Sequence, residues 1–313
     1  MLAECPDVSV VICSYDMGRW DGLVIAVNSA RGQTLPVREL ILVIDHNDEL
    51  LVRAMAAFPE LIVIANENPS GISGARNMGL AVATGEILAY LDDDAVAADT
   101  WLEELIAGYA SDNVLGVGGF VAPLWEDQRP GWFPEEFDWV IGCTYRGMTD
   151  TSEVRNLFGP DSFRRELLAA AGGFHLELGR TSSQALGDEE TGACIRLAQL
   201  NPGGVFIYAP RSHVDHLVPA SRTTWRYFRR RCYGEGISKA SLTRLVGSSA
   251  GLSSERRYTL VVLPAAVGRA VGAFFTGDSS GLARAAAIVA GLAVTVAGYV
   301  VGRLTLPAPS AAK

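Results

Sequence analysis

The sequence predicts an α/β protein: a mostly parallel central sheet with helices on both faces, followed by C-terminal apolar helices. Three observations carry this. Four short runs of continuous apolar residues recur in the first hundred positions, separated by stretches of helical character. Strands that are apolar without alternation are buried on both faces, as in parallel sheets covered by helices. Polar or acidic residues follow three of the runs directly, at the edge where such sheets collect ligands. Beyond residue 257 the chain turns into long apolar stretches nearly free of charge.

Residues 8–13 (VSVVIC) are the first strand, followed by Ser14 and Asp16, and the amphipathic stretch 21–31 is the first helix. Residues 39–44 (ELILVI) are the second strand, leading into Asp45 and Asn47; residues 61–65 are the third and 86–91 the fourth. The fourth opens into Asp92, Asp93 and Asp94. Three adjacent carboxylates repel one another and resist desolvation. They mark either a solvated turn before the helix that starts near Asp99, or a site. In the second case a hard divalent cation, Mg2+ or Mn2+, would bind them together with the phosphate oxygens of a nucleotide. Each polar strand end alone is ordinary loop chemistry; their recurrence along one edge points to a site.

Between the third and fourth strands, Pro69, Gly71 and Gly74 break the chain before a helix over 75–83 that Gly85 stops. Free backbone N–H groups and Arg76 at that helix start suit a phosphate, although the segment matches neither the phosphate-loop nor the dinucleotide fingerprint and also reads as a simple turn. Further on, Asp188, Glu189 and Glu190 open another helix, either as residues that favour its dipole or as a catalytic base. After a strand over 204–209, His213, Asp215 and His216 are dense enough to contact a metal or a diphosphate, or are satisfied by local hydrogen bonds. Arg226, Arg229, Arg230 and Arg231 interleave with Trp225, Tyr227 and Phe228, as on a helix whose cations meet a diphosphate or lipid phosphate while its aromatics pack. Residues 123–139 hold three prolines and Trp125, Trp132 and Trp139, a loop that could stack on sugars, sit at a membrane interface or cover a core.

Residues 258–276 are apolar around Arg269, and the seventeen residues 285–301 are uncharged between Arg284 and Arg303. That length is at the lower limit for spanning ~30 Å of hydrocarbon. The two stretches, joined by TGDSSG, form a membrane hairpin, a re-entrant pair, or a helical tail packed on the rest of the protein. The 49% hydrophobic content excludes a disordered chain, and a net charge of −9 argues against a nucleic-acid-coating protein. Five scattered cysteines without a C-x-x-C pair suit reduced thiols rather than disulfides or zinc. No charged-then-apolar signal segment precedes the first strand, which predicts a catalytic body on the cytoplasmic side.

VSVVICSYDM, VIDHND, the G-x-x-x-A-R-N of residues 71–77 and LAYLDDDA occur in an order and at spacings that resemble family 2 glycosyltransferases, over about residues 7–235. The resemblance implies a GT-A nucleotide-sugar-binding fold, with a catalytic domain over 1–240 (nucleotide-sugar half 1–120, acceptor half 121–240) and a membrane-associating helical region over 241–313. It implies Ser14 and Tyr15 beside the base, Asp45 on base or ribose, Arg76 on base or phosphate, Asp92 near the ribose and Asp94 as the metal ligand of a D-x-D; His216, before a Val-Pro step, joins the metal or diphosphate site. Residues 157–177 resemble the acceptor-side segment, except that Pro160 and Asp161 stand in the family's Asn region. Aligning Arg196 with the family's helical Arg makes Glu189 and Glu190 the acidic pair and Glu190 the base; anchoring on Gly187 selects Glu189 or Asp188 instead.

The function implied is inverting, metal-dependent transfer from a nucleotide-diphosphate sugar, UDP being the commonest carrier in the family, to a glycan or polyprenyl-phosphate-linked acceptor in cell-envelope or glycoconjugate biosynthesis, at the cell membrane. The rival readings are a membrane-anchored nucleotide-binding scaffold without turnover, and a nucleotidyltransferase, which would release pyrophosphate rather than a nucleoside diphosphate.

Overall fold

The computed structural model describes residues 7–149, 151–159, 161–180, 187–247 and 255–305; Cys5 and Pro160 lie outside them. Two compact units divide the chain. One comprises Met1–Ala122, Thr151–Ser182 and Glu189–His216, the other Pro123–Asp150, Ser183–Asp188 and Leu217–Lys313.

In the first unit, the four apolar runs form β1 (Val8–Ser14), β2 (Glu39–Ile44), β3 (Ile62–Ala65) and β4 (Ile87–Asp92). They pair in parallel in the order β3-β2-β1-β4. The sheet then continues with antiparallel neighbours. β8 (Asp161–Arg164) lies between β4 and β6 (Val114–Trp125), and β9 (Val205–Val218) pairs with β5 (Ala95–Ala97) and with β7 (Glu153–Val154).

Successive strand residues point to opposite faces, and both faces of β1 are covered, which explains why the run is apolar throughout. Val8, Val10 and Ile12 pack with Leu23, Val27, Leu50 and Trp101 from α1 (Trp20–Arg31), α2 (Asp48–Ala57) and α4 (Trp101–Ala107). On the other face, Val11 packs with Leu80, Leu168 and Leu197 from α3 (Ile72–Val82), α5 (Arg165–Ala170) and α6 (Glu189–Leu200). Each such side chain, fully buried, contributes about 1.5–3 kcal/mol. Parallel register places Cys13 beside Asp92 and Ser14 beside Ile44, so the ends of β1, β2 and β4 share one edge. Two polar residues at that edge are helix or turn caps: Asp16 accepts from the Gly18 N–H, and Asn47 accepts from the Leu50 N–H at the start of α2.

The second unit is helical. The tryptophan-rich loop is core-covering: Trp132, Phe133 and Phe137 gather around Phe228 of α7 (Trp225–Val246), which also stacks on Trp225. The apolar C-terminal stretches form α8 (Glu255–Phe275) and α9 (Gly281–Thr305), both long and apolar enough to cross a membrane by length and composition. α8 opens with a π-helical turn at Tyr258–Val262, just before Pro264, whose ring cannot fit the regular hydrogen-bond ladder.

α7 and α9 run side by side in parallel at backbone contact. A Cβ on Gly236 would lie 2.1 Å from the Thr295 carbonyl oxygen, and one on Gly298 would lie 2.2 Å from that of Tyr233. Gly236→Val is therefore expected to destabilise the protein by about 1–3 kcal/mol, the cost of overpacking, read as a lower thermal midpoint. An unchanged midpoint would contradict this packing.

Candidate active site

The site grows from the carboxyl edge of the parallel strands. Asp92 is the last residue of β4, Asp94 precedes β5, and His216 on β9 pairs with Ala95 of β5. Their ligand atoms lie within 4.8 Å of one another, with His216 Nε2 3.1 Å from Asp94 Oδ1. Two carboxylates and one imidazole are a donor set suited to Mg2+ or Mn2+, with positions left for phosphate oxygens. His213 does not join them. Strand alternation turns it to the other side of β9, where Nε2 lies 3.0 Å from Asp215 Oδ1, half-exposed.

Asp93 faces inward and accepts hydrogen bonds from Ser14 Oγ and Arg19 Nη1, both at 2.6 Å. Burial raises its pKa to about 6 despite the opposing Arg19 charge. Arg19 also reaches Asp94, its Nη2 3.2 Å from Oδ2. Asp93 thus ties β1 and the turn before α1 to the acidic loop, and Arg19 orients both Asp93 and Asp94. Arg19 escaped sequence reasoning because the pairing spans more than seventy residues and nothing local announces it.

Of the nucleotide-side candidates, Ser14 donates its hydroxyl to Asp93, which fixes the strand end, while Tyr15 is exposed with the Arg19 guanidinium 5.5 Å from its ring. Asp45 organises the neighbouring turn. Its Oδ1 accepts from Asn66 Nδ2 at 2.6 Å, and its Oδ2 accepts from the Gly71 N–H at 2.9 Å and from Ser70 Oγ at 3.1 Å. That turn requires glycine twice: Gly71 has φ 131°, and a Cβ on Gly74 would lie 2.1 Å from the Pro69 carbonyl oxygen.

Arg76, in the first turns of α3, is buried over the rings of Tyr90 and Phe174. Its Nη1 lies 2.5 Å from Glu190 Oε1 and 3.5 Å from Glu189 Oε1, and its Nη2 lies 3.6 Å from Asp92 Oδ1. Burial alone would lower its pKa, but Glu190, Glu189 and Asp92 hold it well above the ordinary value. Burial, with Glu190 next to it, raises Glu189 to about 7. Of this pair Glu190 is the more open, its side chain 18% exposed against 9%. Behind them Asn77 holds the Gly172–Phe174 turn: its Nδ2 donates to the Phe174 carbonyl and its Oδ1 accepts from the Phe174 N–H. Arg196 donates to the carbonyls of Ala171 and Gly173.

Asp188 belongs to the second unit, has φ 69°, and pairs with Lys239 Nζ at 2.8 Å, a lysine also near Glu235 and Glu255. Burial raises Asp188 to about 7 against the pull of Lys239. Sequence reasoning also left Asp161 without a role. It begins β8 on the face of Phe163, fully buried, with neither carboxylate oxygen hydrogen-bonded among the described residues, and burial together with Glu190 pushes its pKa well above the ordinary carboxylate value.

The parallel strands extended by antiparallel neighbours form a GT-A-like fold. Solved structures of the same fold include the mannosyltransferase PcManGT from Pyrobaculum calidifontis in complex with GDP-Man and Mn2+ (TM-score 0.59, 18% identity, covering 94% of this chain and 88% of that one). GalNAc-T7 with UDP, GalNAc and Mn2+ is a second (TM-score 0.53, 19% identity, 82% of this chain and 54% of that one). The model of glycosyl transferase family 2 matches residues 9–169. The chain is 34% identical over 238 residues to the glucosyl-dolichyl phosphate glucuronosyltransferase of Haloferax volcanii (74% of this chain, 76% of the relative), and 26% identical over 248 residues to the succinoglycan biosynthesis protein ExoM of Rhizobium meliloti (76% of each). The chain belongs to glycosyl transferase family 2 and is a glycosyltransferase.

Asp93, Glu189 and Asp188 all have folded pKa values raised above those of exposed carboxylates, so the folded state binds protons more tightly than the unfolded one. Their contribution to stability is complete below about pH 4 and is lost as pH rises through 6–7. The metal-free protein is therefore expected to have a lower thermal midpoint at pH 8 than at pH 5.5, and Glu189→Gln is expected to shrink that difference. A midpoint that rises with pH over this interval would contradict the assignment.

Proposed function

We propose that this chain is an inverting, metal-dependent glycosyltransferase that moves a sugar from a nucleotide-diphosphate donor, UDP-linked by family frequency, to a polyprenyl-phosphate-linked or other glycan acceptor at the cell membrane. The catalytic domain faces the cytoplasm. The observation that carries this reading is the adjacency of two groups at one sheet edge: the Asp92, Asp94 and His216 ligand cluster, and the Arg76–Glu190 ion pair joined to it through Asp92.

Asp94 and His216, with Asp92, would hold Mg2+ or Mn2+, which when bound supplies positive charge for the leaving diphosphate. Arg76 orients Asp92 toward the ribose side and Glu190 toward the acceptor. Glu190 accepts the proton of the acceptor hydroxyl as it attacks the anomeric carbon on the side opposite the leaving group. Its exposure favours it over Glu189, and the pairing of Asp188 with Lys239 leaves that carboxylate the least suited of the three. Ser14 fixes the strand end while Tyr15 and Asp45 border the base and ribose. The acceptor class is supported by the relative whose name specifies a dolichyl phosphate-linked substrate, and by α8 and α9.

Incubating the purified protein with nucleotide sugars and Mn2+ should release nucleoside diphosphate, not pyrophosphate. Asp94→Ala and Glu190→Gln are each expected to lower kcat by about 100-fold or more, in line with loss of charge stabilisation or of a general base. Full activity of Asp94→Ala in excess chelator would refute the metal assignment, and full activity of Glu190→Gln would refute the base.

A further inference from the structure

α9 has two sides of opposite character. Gly291, Gly298 and Gly302 face α7, where Phe228, Tyr233 and Ala240 meet them. About 200° round the helix, Leu282, Ala286, Val289, Ala293, Val296, Val300 and Leu304 form one unbroken exposed stripe with no polar side chain in it. α8 adds Leu260, Val261 and Phe275, also exposed. The α8–α9 hairpin carries Arg256, Arg257, Arg269, Arg284 and Arg303 against the two carboxylates Glu255 and Asp278, in a protein of net charge −9. An apolar stripe within a locally cationic segment matches an anionic bilayer surface in both hydrophobicity and charge.

The packing also decides how α9 can meet that bilayer. α7 runs parallel to α9, with Phe228 level with Gly291, Gly236 with Gly298 and Ala240 with Gly302. Arg226, Arg229 and Arg230 lie within two residues of Phe228 and are all exposed. These arginines are therefore level with the middle of α9. If α9 crossed the bilayer, they would stand at its centre, where charged side chains are costly unless paired or lining a water-filled cavity. Only residues 281–287 extend past the start of α7, about 10 Å of helix, far less than the ~30 Å hydrocarbon core. The loop from Gly131 to Trp139 lies along the hairpin as well: Arg284 donates to the Gly131 carbonyl, Arg269 pairs with Glu136 at 2.6 Å, and Trp139 donates to Tyr258.

We propose that the α8–α9 hairpin does not span the membrane but lies in the plane of an anionic bilayer surface, its apolar stripe immersed in one leaflet and the α7 arginines turned to water. This rests on the reading that the acceptor is membrane-borne, and adds that the protein reaches it from one face only.

Depth-dependent fluorescence quenching tests the arrangement. Leu282→Cys, Val289→Cys, Val296→Cys and Leu304→Cys, each labelled with nitrobenzoxadiazole in the full chain, would be bound to phosphatidylcholine–phosphatidylglycerol vesicles with lipids brominated at several chain depths. In-plane attachment gives one shallow depth at all four positions. A profile deepest near Val289 and Val296 and shallow at both ends shows a crossing helix and overturns the proposal. Absence of quenching with concentration-dependent self-association shows a second copy on the stripe and overturns it too. The double variant Val296→Glu/Val300→Glu is expected to weaken vesicle binding about tenfold or more while its thermal midpoint in detergent and its release of nucleoside diphosphate with a soluble acceptor analogue stay unchanged. Donor turnover missing from wild type with an even depth profile would contradict the glycosyl-transfer reading and leave the attachment standing.

Discussion

Arg76 is buried between Asp92 on one side and Glu189 and Glu190 on the other, and the organisation of the site follows from that one cation. Carboxylates that are withdrawn from water and close to one another cannot all remain ionised without a counter-charge. A guanidinium keeps its charge under burial, where a lysine loses its proton more readily, and it offers its donors in a fixed planar fork. Tyr90 and Phe174 fix its plane from below. The strand that ends in Asp92, the helix that begins at Glu189 and the turn that begins α3 therefore converge on a single side chain.

A second cation does the corresponding work on the other side of the acidic loop. Arg19 binds Asp93 and Asp94, so that the middle aspartate becomes a tether and the third is held toward His216. The three aspartates thus divide their roles by direction. Asp93 points into the protein, and Asp92 and Asp94 point toward a common space with His216. The alternation of the backbone, rather than any difference among the three side chains, makes that division.

Continuous apolar runs made the parallel strands legible in the sequence, because both faces of β1 and β2 are covered and neither can alternate. Strand-end position made Asp45 and Asp92 to Asp94 legible for the same reason. What could not be read was pairing at long range. β8 sits between β4 and β6, Arg19 reaches across to Asp93, and Lys239 pairs with Asp188. Asp161 stands as a departure from the family pattern, and its complete burial with no hydrogen-bond partner among the described residues emerges only from the packing around β8. The C-terminal stretches were apolar enough to suggest membrane helices, but their orientation depends on α7 lying beside α9, a tertiary contact with no local signature.

Arg76 neutralises the acids it touches, and a double-mutant cycle in thermal or urea unfolding at pH 8 tests this. Arg76→Gln alone is expected to cost about 3–5 kcal/mol, since it strands buried carboxylates. Adding Glu190→Gln to that variant should restore part of the loss, giving a coupling of at least about 1 kcal/mol. Additive effects of the two substitutions, or an Arg76→Gln protein as stable as wild type, would contradict the account.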